Sequence, residues 1–349
     1  MNMSIRETLE QNPVEASAPC RIDMGGTLDL STFFYPLQRL HPCTFNAALD
    51  LRTYVRVSPF DTGKVKISSH GFEDLVVESA SAPYDHPLGL MLAVGAYFNA
   101  DGAHIEIHSS SPPRSALGGS SVAAVALIWA FSKARAERGH PMPSRSSVAM
   151  LAHAIEQSVA GVPCGMQDHL AAVYGGINAW HWLTRPPDLP FRRQRLASAD
   201  GCKAFERHIL VAYCGRPHVS KDVNATWVKQ FVRGSNRRLW HGIIDCSRKF
   251  VSALEAGDYQ QAKTMMNQET DIRCELTPEV LDALGARLVA AAREGDCGAR
   301  FTGAGGGGCV WALGAADDIK QLRPVWKDIL TRHSAAQLLK AGIDTAGLL

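Results

Sequence analysis

Apolar and polar residues alternate through Leu51-Arg52-Thr53-Tyr54-Val55-Arg56-Val57, and a period of two predicts a half-exposed strand. Lys64 to Ser68 and His104 to His108 alternate in the same way, and the apolar run "HILVAY" at 208–213 predicts another strand. Helical spacing governs 121–138, where Arg135, Glu137 and Arg138 mark the wet end, and it returns at 144–160 with Ser144 as its cap. Further helical patterns fall at about 219–232, 236–256, 258–270 and 277–294. A short strand, a glycine run, a second strand and a last helix near 316–332 close the chain. Residues 1–17 are polar and acidic and predict a loose arm. Residues 183–203, rich in proline and arginine, predict a loop joining two halves, with the arginines as a solvated face. Strands and helices mix without a regular βαβ rhythm or an internal repeat, so an α+β fold is expected rather than a doubly wound sheet.

Bulk properties narrow the class without naming a chemistry. A length of 349 residues suggests two domains, and 46% hydrophobic with 20% charged residues suits an ordinary globular core. A formal net charge of +2 gives no reason to expect nucleic acid or an acidic membrane as partner. Nine cysteines are scattered without a CxxC, and thirteen histidines without an HExxH. That pattern suits small buried thiols in a reducing compartment, not a zinc ribbon or a disulfide framework. The N-terminus lacks an apolar signal region, and the run Val122 to Phe131 is too short to span a bilayer. A cytoplasmic location is the expectation.

Glycine placement is the informative feature. In "PPRSALGGSSVAA", from Pro112, two glycines and two serines stand at the start of an apolar helix. Ser120 or Ser121 could cap that helix, or the free N–H groups could bind an anion. In "ARFTGAGGGGCVWAL", 299–313, five glycines in six positions cost more backbone entropy than a hairpin turn requires, and successive N–H groups there could form an anion nest. Neither run fits GxxxxGK[ST], nor GxGxxG with a following acid. "PCRIDMGGTLDL", 19–30, sets Arg21, Asp23 and Asp29 around Gly25-Gly26-Thr27. "HAIEQSVAGVPCGMQDHLAAVYGG", 153–176, offers Glu156 on a helix and Asp168 after a bend.

The order of these four segments resembles the GHMP kinases, named for galactokinase, homoserine kinase, mevalonate kinase and phosphomevalonate kinase. The likeness runs from about residue 18 to 340. It implies a two-lobed α+β fold with a ribosomal-protein-S5-like N-terminal lobe at about 15–185, a ferredoxin-like C-terminal lobe at about 204–349, and the active site between them. It further implies that Pro113, Leu117, Gly118, Gly119, Ser120 and Ser121 form a phosphate loop, and that Gly303, Gly305 and Gly306 complete the ATP site. Ser121 and Glu156 would hold Mg²⁺, with Ser120 taking the place of Ser121 if the register differs by one.

By the same resemblance, Asp168 faces the acceptor hydroxyl as base or aligning group, and Arg21 keeps it ionised. Arginine at 21 is similar to the sugar-kinase branch, where the mevalonate-kinase branch usually has lysine. "GGTLDL" departs from the GEHTDY of galactokinases and is more similar to heptose 7-phosphate, fucose and uronate kinases. Asp29, Thr27 and Gly26 would then bind the sugar. "QDH" replaces the usual QDQ, and His169 is expected to pack rather than touch substrate. The implied reaction is transfer of the γ-phosphoryl of ATP to the anomeric hydroxyl of a sugar or sugar phosphate, with heptose 7-phosphate favoured. Arg114, Lys221 and Arg273 are candidates for holding a second phosphate. Galactose, fucose or uronate 1-kinases, an isoprenoid or amino-alcohol kinase, and a non-catalytic sugar or nucleotide sensor are the alternatives. Oligomeric state stays open, with a homodimer among the options.

Overall fold

The computed structural model describes residues 4–161, 163–184, 189–216 and 220–349, with side chains from 223 onward in the last stretch. From Ser4 onward the N-terminal segment forms regular structure where a loose arm was expected. The Ser4 hydroxyl accepts from Glu7 N–H, and the Glu7 carboxylate accepts from Ser4 N–H at 2.6 Å. This reciprocal capping box starts α1 (Ile5–Gln11), which buries Ile5, Thr8 and Leu9 along one face. The chain then enters β1 (Val14–Met24), short α2 (Ser31–Leu37) and β2 (Cys43–Pro59).

β2 is long enough to organise the N-terminal lobe. All of β1 pairs antiparallel along one of its edges, from Val14 opposite Val57 to Met24 opposite Phe45. Its other edge is shared by β5 (Ala103–Ser109) and β6 (Ile177–Trp182). With β3 (Lys64–Ser69), β4 (Leu75–Glu78) and β7 (Phe191–Arg195) they form a seven-stranded sheet in the order β4-β3-β5-β2-β6-β7, with β1 on the far side of β2. Between β4 and β5 lies α3 (Gly89–Tyr97), and after β5 comes α4 (Gly119–Ala136), apolar almost all round and packed on β1 and β2. α5 (Arg145–Val159) starts at Ser144, whose hydroxyl accepts from Ser147 N–H, and packs on α4 and α6 (Gln167–Tyr174).

The segment expected as one loop at 183–203 contains β7 and the start of α7 (Ala199–Phe205). Arg192, Arg193 and Arg195 are all exposed, and Arg193 in addition stacks 4.5 Å over Tyr174 and donates to Asn178 at 2.7 Å.

β8 (Ile209–Tyr213) opens the second half, followed by α8 (Ser220–Val232), α9 (Arg237–Glu255), α10 (Tyr259–Leu276) and α11 (Ala283–Glu294). β9 (Gly298–Phe301), β10 (Cys309–Leu313), α12 (Ala316–Thr331) and β11 (Gln337–Leu339) complete it. The sheet order is β11-β8-β10-β9, so fourth, first, third and second strand lie side by side, which is the ferredoxin-like arrangement. Both faces are covered. On β10, Val310 and Ala312 meet α11 and α12, while Cys309, Trp311 and Leu313 face the larger core. That double burial explains the unbroken apolar runs of β8 and β10.

The larger core continues across both halves: Phe45 of β2 lies 5.1 Å from Phe250 of α9 and 6.1 Å from Trp311. The chain end also returns to the first sheet. Asp50 N–H donates to Gly342 O at 3.1 Å, and Ser17 N–H donates to Leu349 O at 3.0 Å. All nine cysteines are free thiols. Among the described residues no helix is long and apolar enough to cross a membrane.

Candidate active site

The glycine-serine segment enters α4 without a side-chain cap. Arg114, Ala116 and Gly118 all have positive φ, which turns the loop sharply so that Gly118 sits at the N-cap position with φ 85°. Neither serine accepts from the helix start, so capping is not their use. The first intrahelical bond is Val122 N–H to Gly118 O at 2.9 Å. The N–H groups of Gly119, Ser120 and Ser121 thus lack an acceptor among the described residues, and the positive end of an 18-residue helix stands behind them. An anion is the natural partner of such an end.

That helix start faces a cavity of about 430 Å³. Its wall holds apolar residues, among them Phe72, Leu88, Leu90, Met91, Ile107 and Pro113. It also holds the polar residues Arg21, Thr27, Asp29, Gln167, Asp168 and Asn224. Gly118, Gly119, Ser120, Ser121, Glu156 and Gly303 also line it. The structure therefore brings most of the sequence-predicted site residues to one cavity. Four stand just behind the wall. Leu117 is fully buried, and its carbonyl accepts from Arg21 N–H at 3.2 Å. Gly26 faces Asp23 and Gln167, while Gly305 and Gly306 pack on Val280.

The third glycine run has a conformational cause. Gly303, Gly305, Gly306, Gly307 and Gly308 all have positive φ, between 62° and 111°. A side chain at Gly305 would place its Cβ 2.5 Å from Val280 O. Glycine suits the positive-φ positions of this path, and only Gly303 and Ala304 of the run reach the cavity wall.

Asp168 is the second residue of α6, where the helix start favours a carboxylate. Arg21 Nε donates to its Oδ1 at 2.6 Å, and Arg21 Nη1 donates to Ala116 O at 2.7 Å. Burial alone would lower the Arg21 pKa, but Asp168 and Asp23 outweigh it and keep the guanidinium charged. Asp29 accepts from Gln167 N–H at 3.0 Å and so caps α6 from another segment. Burial pushes its carboxyl up to about 6, against the opposing effect of that hydrogen bond.

Glu156, on α5, accepts from the Ser121 hydroxyl at 2.8 Å. His169 is fully buried behind it, with Nε2 2.7 Å from Glu156 Oε2 but off the hydrogen-bonding direction of the ring. Its ring also meets His153 edge to face at 5.6 Å. Burial raises the Glu156 pKa, yet His169 and Ser121 together hold the carboxyl below the ordinary glutamate range.

Behind the cavity lies a set of charges that sequence reading missed. Asp23 Oδ1 is 3.3 Å from Arg21 Nη1, and Asp23 Oδ2 accepts from Arg300 Nη1 at 2.9 Å. Arg300 Nε donates to Glu269 at 3.2 Å, and Glu269 accepts from Arg273 Nε at 2.8 Å. Arg273 then donates to Thr27 Oγ1 at 2.9 Å and Gly26 O at 2.6 Å, and lies 4.8 and 5.1 Å over the rings of Trp227 and Trp240. This corrects the expectation for Arg273: it is fully buried and occupied, and holds the turn that carries Thr27 instead of meeting a second phosphate. Arg114 lines the cavity, and the side chain of Lys221 lies outside the described residues. An isolated arginine or acid in a sequence gives no sign of such pairing. Glu269 and Arg273 stand four apart on α10, but the predicted helix ended at about 270, short of Arg273.

Two family models match the chain, "GHMP kinases N terminal domain" over residues 86–176 and "GHMP kinases C terminal" over 250–328. A mevalonate kinase of Pyrococcus horikoshii is 29% identical over 295 residues, which is 76% of this chain and 81% of that protein. A galactokinase of Roseiflexus sp. is 26% identical over 320 residues, 80% of each chain. The crystal structure of a D-glycero-D-manno-heptose 1-phosphate kinase from Bacteriodes thetaiotaomicron shares the fold, with a TM-score of 0.71 and 17% identity over 96% of this chain and 97% of that one. With both halves of the family matched and its motifs converging on one cavity, the chain belongs to the GHMP kinases.

Proposed function

We propose that this kinase transfers the γ-phosphoryl group of ATP to the anomeric hydroxyl of a sugar or sugar phosphate. The observation that carries the reading is the Arg21–Asp168 pair, 2.6 Å apart, in the wall of a cavity that an uncapped helix start also lines. Arginine at 21 is the residue the sugar-kinase resemblance calls for, and the same wall adds Asp29, an acceptor for ring hydroxyls. The apolar wall residues suit the flat base of the nucleotide, and the free N–H groups of 119–121 suit its phosphates.

In this reading Asp168 orients the acceptor hydroxyl and takes its proton as the oxygen–phosphorus bond forms and the β–γ bridge breaks, leaving ADP. Arg21 holds that carboxylate ionised and offsets charge on the moving phosphoryl group. Ser121 and Glu156 fit Mg²⁺: their two hard oxygens meet 2.8 Å apart beside the helix start, and the glutamate stays ionised. The ion, when bound, neutralises phosphate charge. His169 buttresses Glu156 from behind.

With Arg273 engaged elsewhere, heptose 7-phosphate joins the free sugars as one acceptor among several. Likeness to mevalonate kinases favours a second reading, phosphorylation of mevalonate. A coupled ADP-release assay over sugars, sugar phosphates, mevalonate and homoserine separates the two. The proposal expects turnover only with acceptors that carry a free anomeric hydroxyl, and none with their methyl glycosides. Turnover with mevalonate alone establishes the second reading. Phosphorylation of a methyl glycoside leaves a sugar kinase that acts on another hydroxyl.

A further inference from the structure

Asp23 is the point at which several otherwise separate parts of the molecule meet. It sits on β1, two residues beyond Arg21, and is fully buried. Its Oδ1 accepts from Gly303 N–H at 2.7 Å and lies 3.3 Å from Arg21. Its Oδ2 accepts from Arg300, and its main-chain carbonyl accepts from Arg300 Nη1 at 2.6 Å and from Trp311 Nε1 at 3.0 Å. One side chain therefore touches the arginine that pairs with Asp168, the first glycine of the 303–308 loop and the β9 arginine of the other lobe.

The charges on this path alternate in sign from Arg273 through Glu269, Arg300, Asp23 and Arg21 to Asp168. The first five are between 0% and 3% exposed, and of the six only Arg21 and Asp168, at the end, line the cavity. Buried ion pairs add little net stability over an apolar core, because desolvation offsets their attraction. What such a chain does supply is direction. Each guanidinium is gripped from two sides and can take one orientation. Arg21 has Asp168 in front, Ala116 O at its flank and Asp23 behind.

We propose that Asp23 is a positioning residue for phosphoryl transfer: it fixes the Arg21 guanidinium against Asp168 and ties that pair to the Gly303 loop of the opposite lobe. This rests on the reading of Arg21 and Asp168 given above. Asp23 makes no contact with substrate. Its effect passes through Arg21.

Asp23→Asn alone leaves an uncompensated buried positive charge and is expected to lower stability, so the test uses a charge-balanced pair. In Asp23→Asn/Arg300→Gln one negative and one positive charge leave together. This double variant is expected to melt closer to the wild type than Asp23→Asn does. It is also expected to lose on the order of 10- to 100-fold in kcat, with the KM for ATP within about twofold, as misplaced reacting groups do. In an Arg21→Ala background the same two changes should cost no further kcat, because the residue they act through is gone. Full kcat in a folded, charge-balanced variant overturns the proposal, and so does an additive loss in the Arg21→Ala background. A crystal structure of the balanced variant provides a readout free of turnover. Arg21 is expected to leave its contact with Asp168, and an unmoved Arg21 also overturns the proposal. If the wild type turns over none of the acceptors, the functional reading fails, while the crystallographic arm still decides whether Asp23 sets Arg21.

Discussion

Gly165→Ala tests the assignment of Asp29 to the acceptor without changing any charge. Gly165 precedes α6 and has no positive φ, so its backbone accepts an alanine. The added Cβ, however, would lie 1.7 Å from Asp29 Oδ2 and 2.5 Å from Oδ1. To reach ordinary contact at 3.4 Å the nearer oxygen must retreat by about 1.7 Å. A short side chain can swing that far, so the fold survives. The swing gives up the hydrogen bond from Gln167 N–H and removes the carboxylate from its place on the acceptor. A hydrogen bond to a charged group contributes about 1.5–3 kcal/mol, and tenfold in rate corresponds to about 1.4 kcal/mol, so kcat/KM for the acceptor should fall about 10- to 150-fold. The KM for ATP should stay within about twofold, because the helix start and the apolar wall residues are untouched. Steady-state kinetics with either substrate varied, beside a melting curve, measures both. A folded Gly165→Ala enzyme with unchanged kcat/KM for the acceptor would refute the assignment of Asp29 to acceptor binding.

Asp168→Asn should retain fold and ATP binding and lose about a hundredfold or more in kcat, read by ADP release; near-normal kcat removes Asp168 from the chemistry. Glu156→Gln and Ser121→Ala should each raise the Mg²⁺ concentration for half-maximal rate, by roughly tenfold for the charged ligand, whereas Ser120→Ala should not; unchanged titrations would exclude the pair from the metal shell. Burial raises the Asp29 pKa to about 6 from 3.8, so the folded state keeps its proton where the unfolded chain loses it, and stability falls as pH rises from about 4 to 6. Asp29→Asn should therefore be more stable than wild type at pH 8, by up to about 3 kcal/mol, with the difference vanishing below about pH 4 in denaturant titrations; a constant difference across that window contradicts the shift. Gly305→Val should lose about 2–5 kcal/mol of stability, from a β-branched residue at φ 76° whose Cβ meets Val280 O, and a variant with unchanged denaturation midpoint would contradict that packing.

Local rules carried the sequence reading well where chemistry is written in short segments. The glycine runs were legible because helix starts and sharp turns need particular residues at adjacent positions, whereas Glu156 and Asp168, which line the same cavity, stood out only through the family resemblance. The same logic was available at Ser4 and Glu7, three apart, but the polar composition around them drew the reading toward a loose arm. Arg273 and Arg300 were beyond reach for a different reason. Their partners Thr27 and Asp23 lie 246 and 277 residues away, and a basic residue in a sequence carries no direction. Gly305 shows a third case. A glycine demanded by positive φ and one demanded by close approach of a phosphate look alike until the backbone angles are known.

The core that passes from Phe45 to Phe250 and Trp311 has a consequence for how this chain can be rebuilt. Lobes that meet through aromatic rings packed together are not interchangeable modules. A chimera joining the first half of this chain to the second half of a relative would meet a foreign surface at Phe45 and an unmatched partner for Asp23. Exchange of acceptor preference within the family is therefore better attempted by grafting the cavity-facing loops onto this shared interior than by recombining halves at the boundary between them.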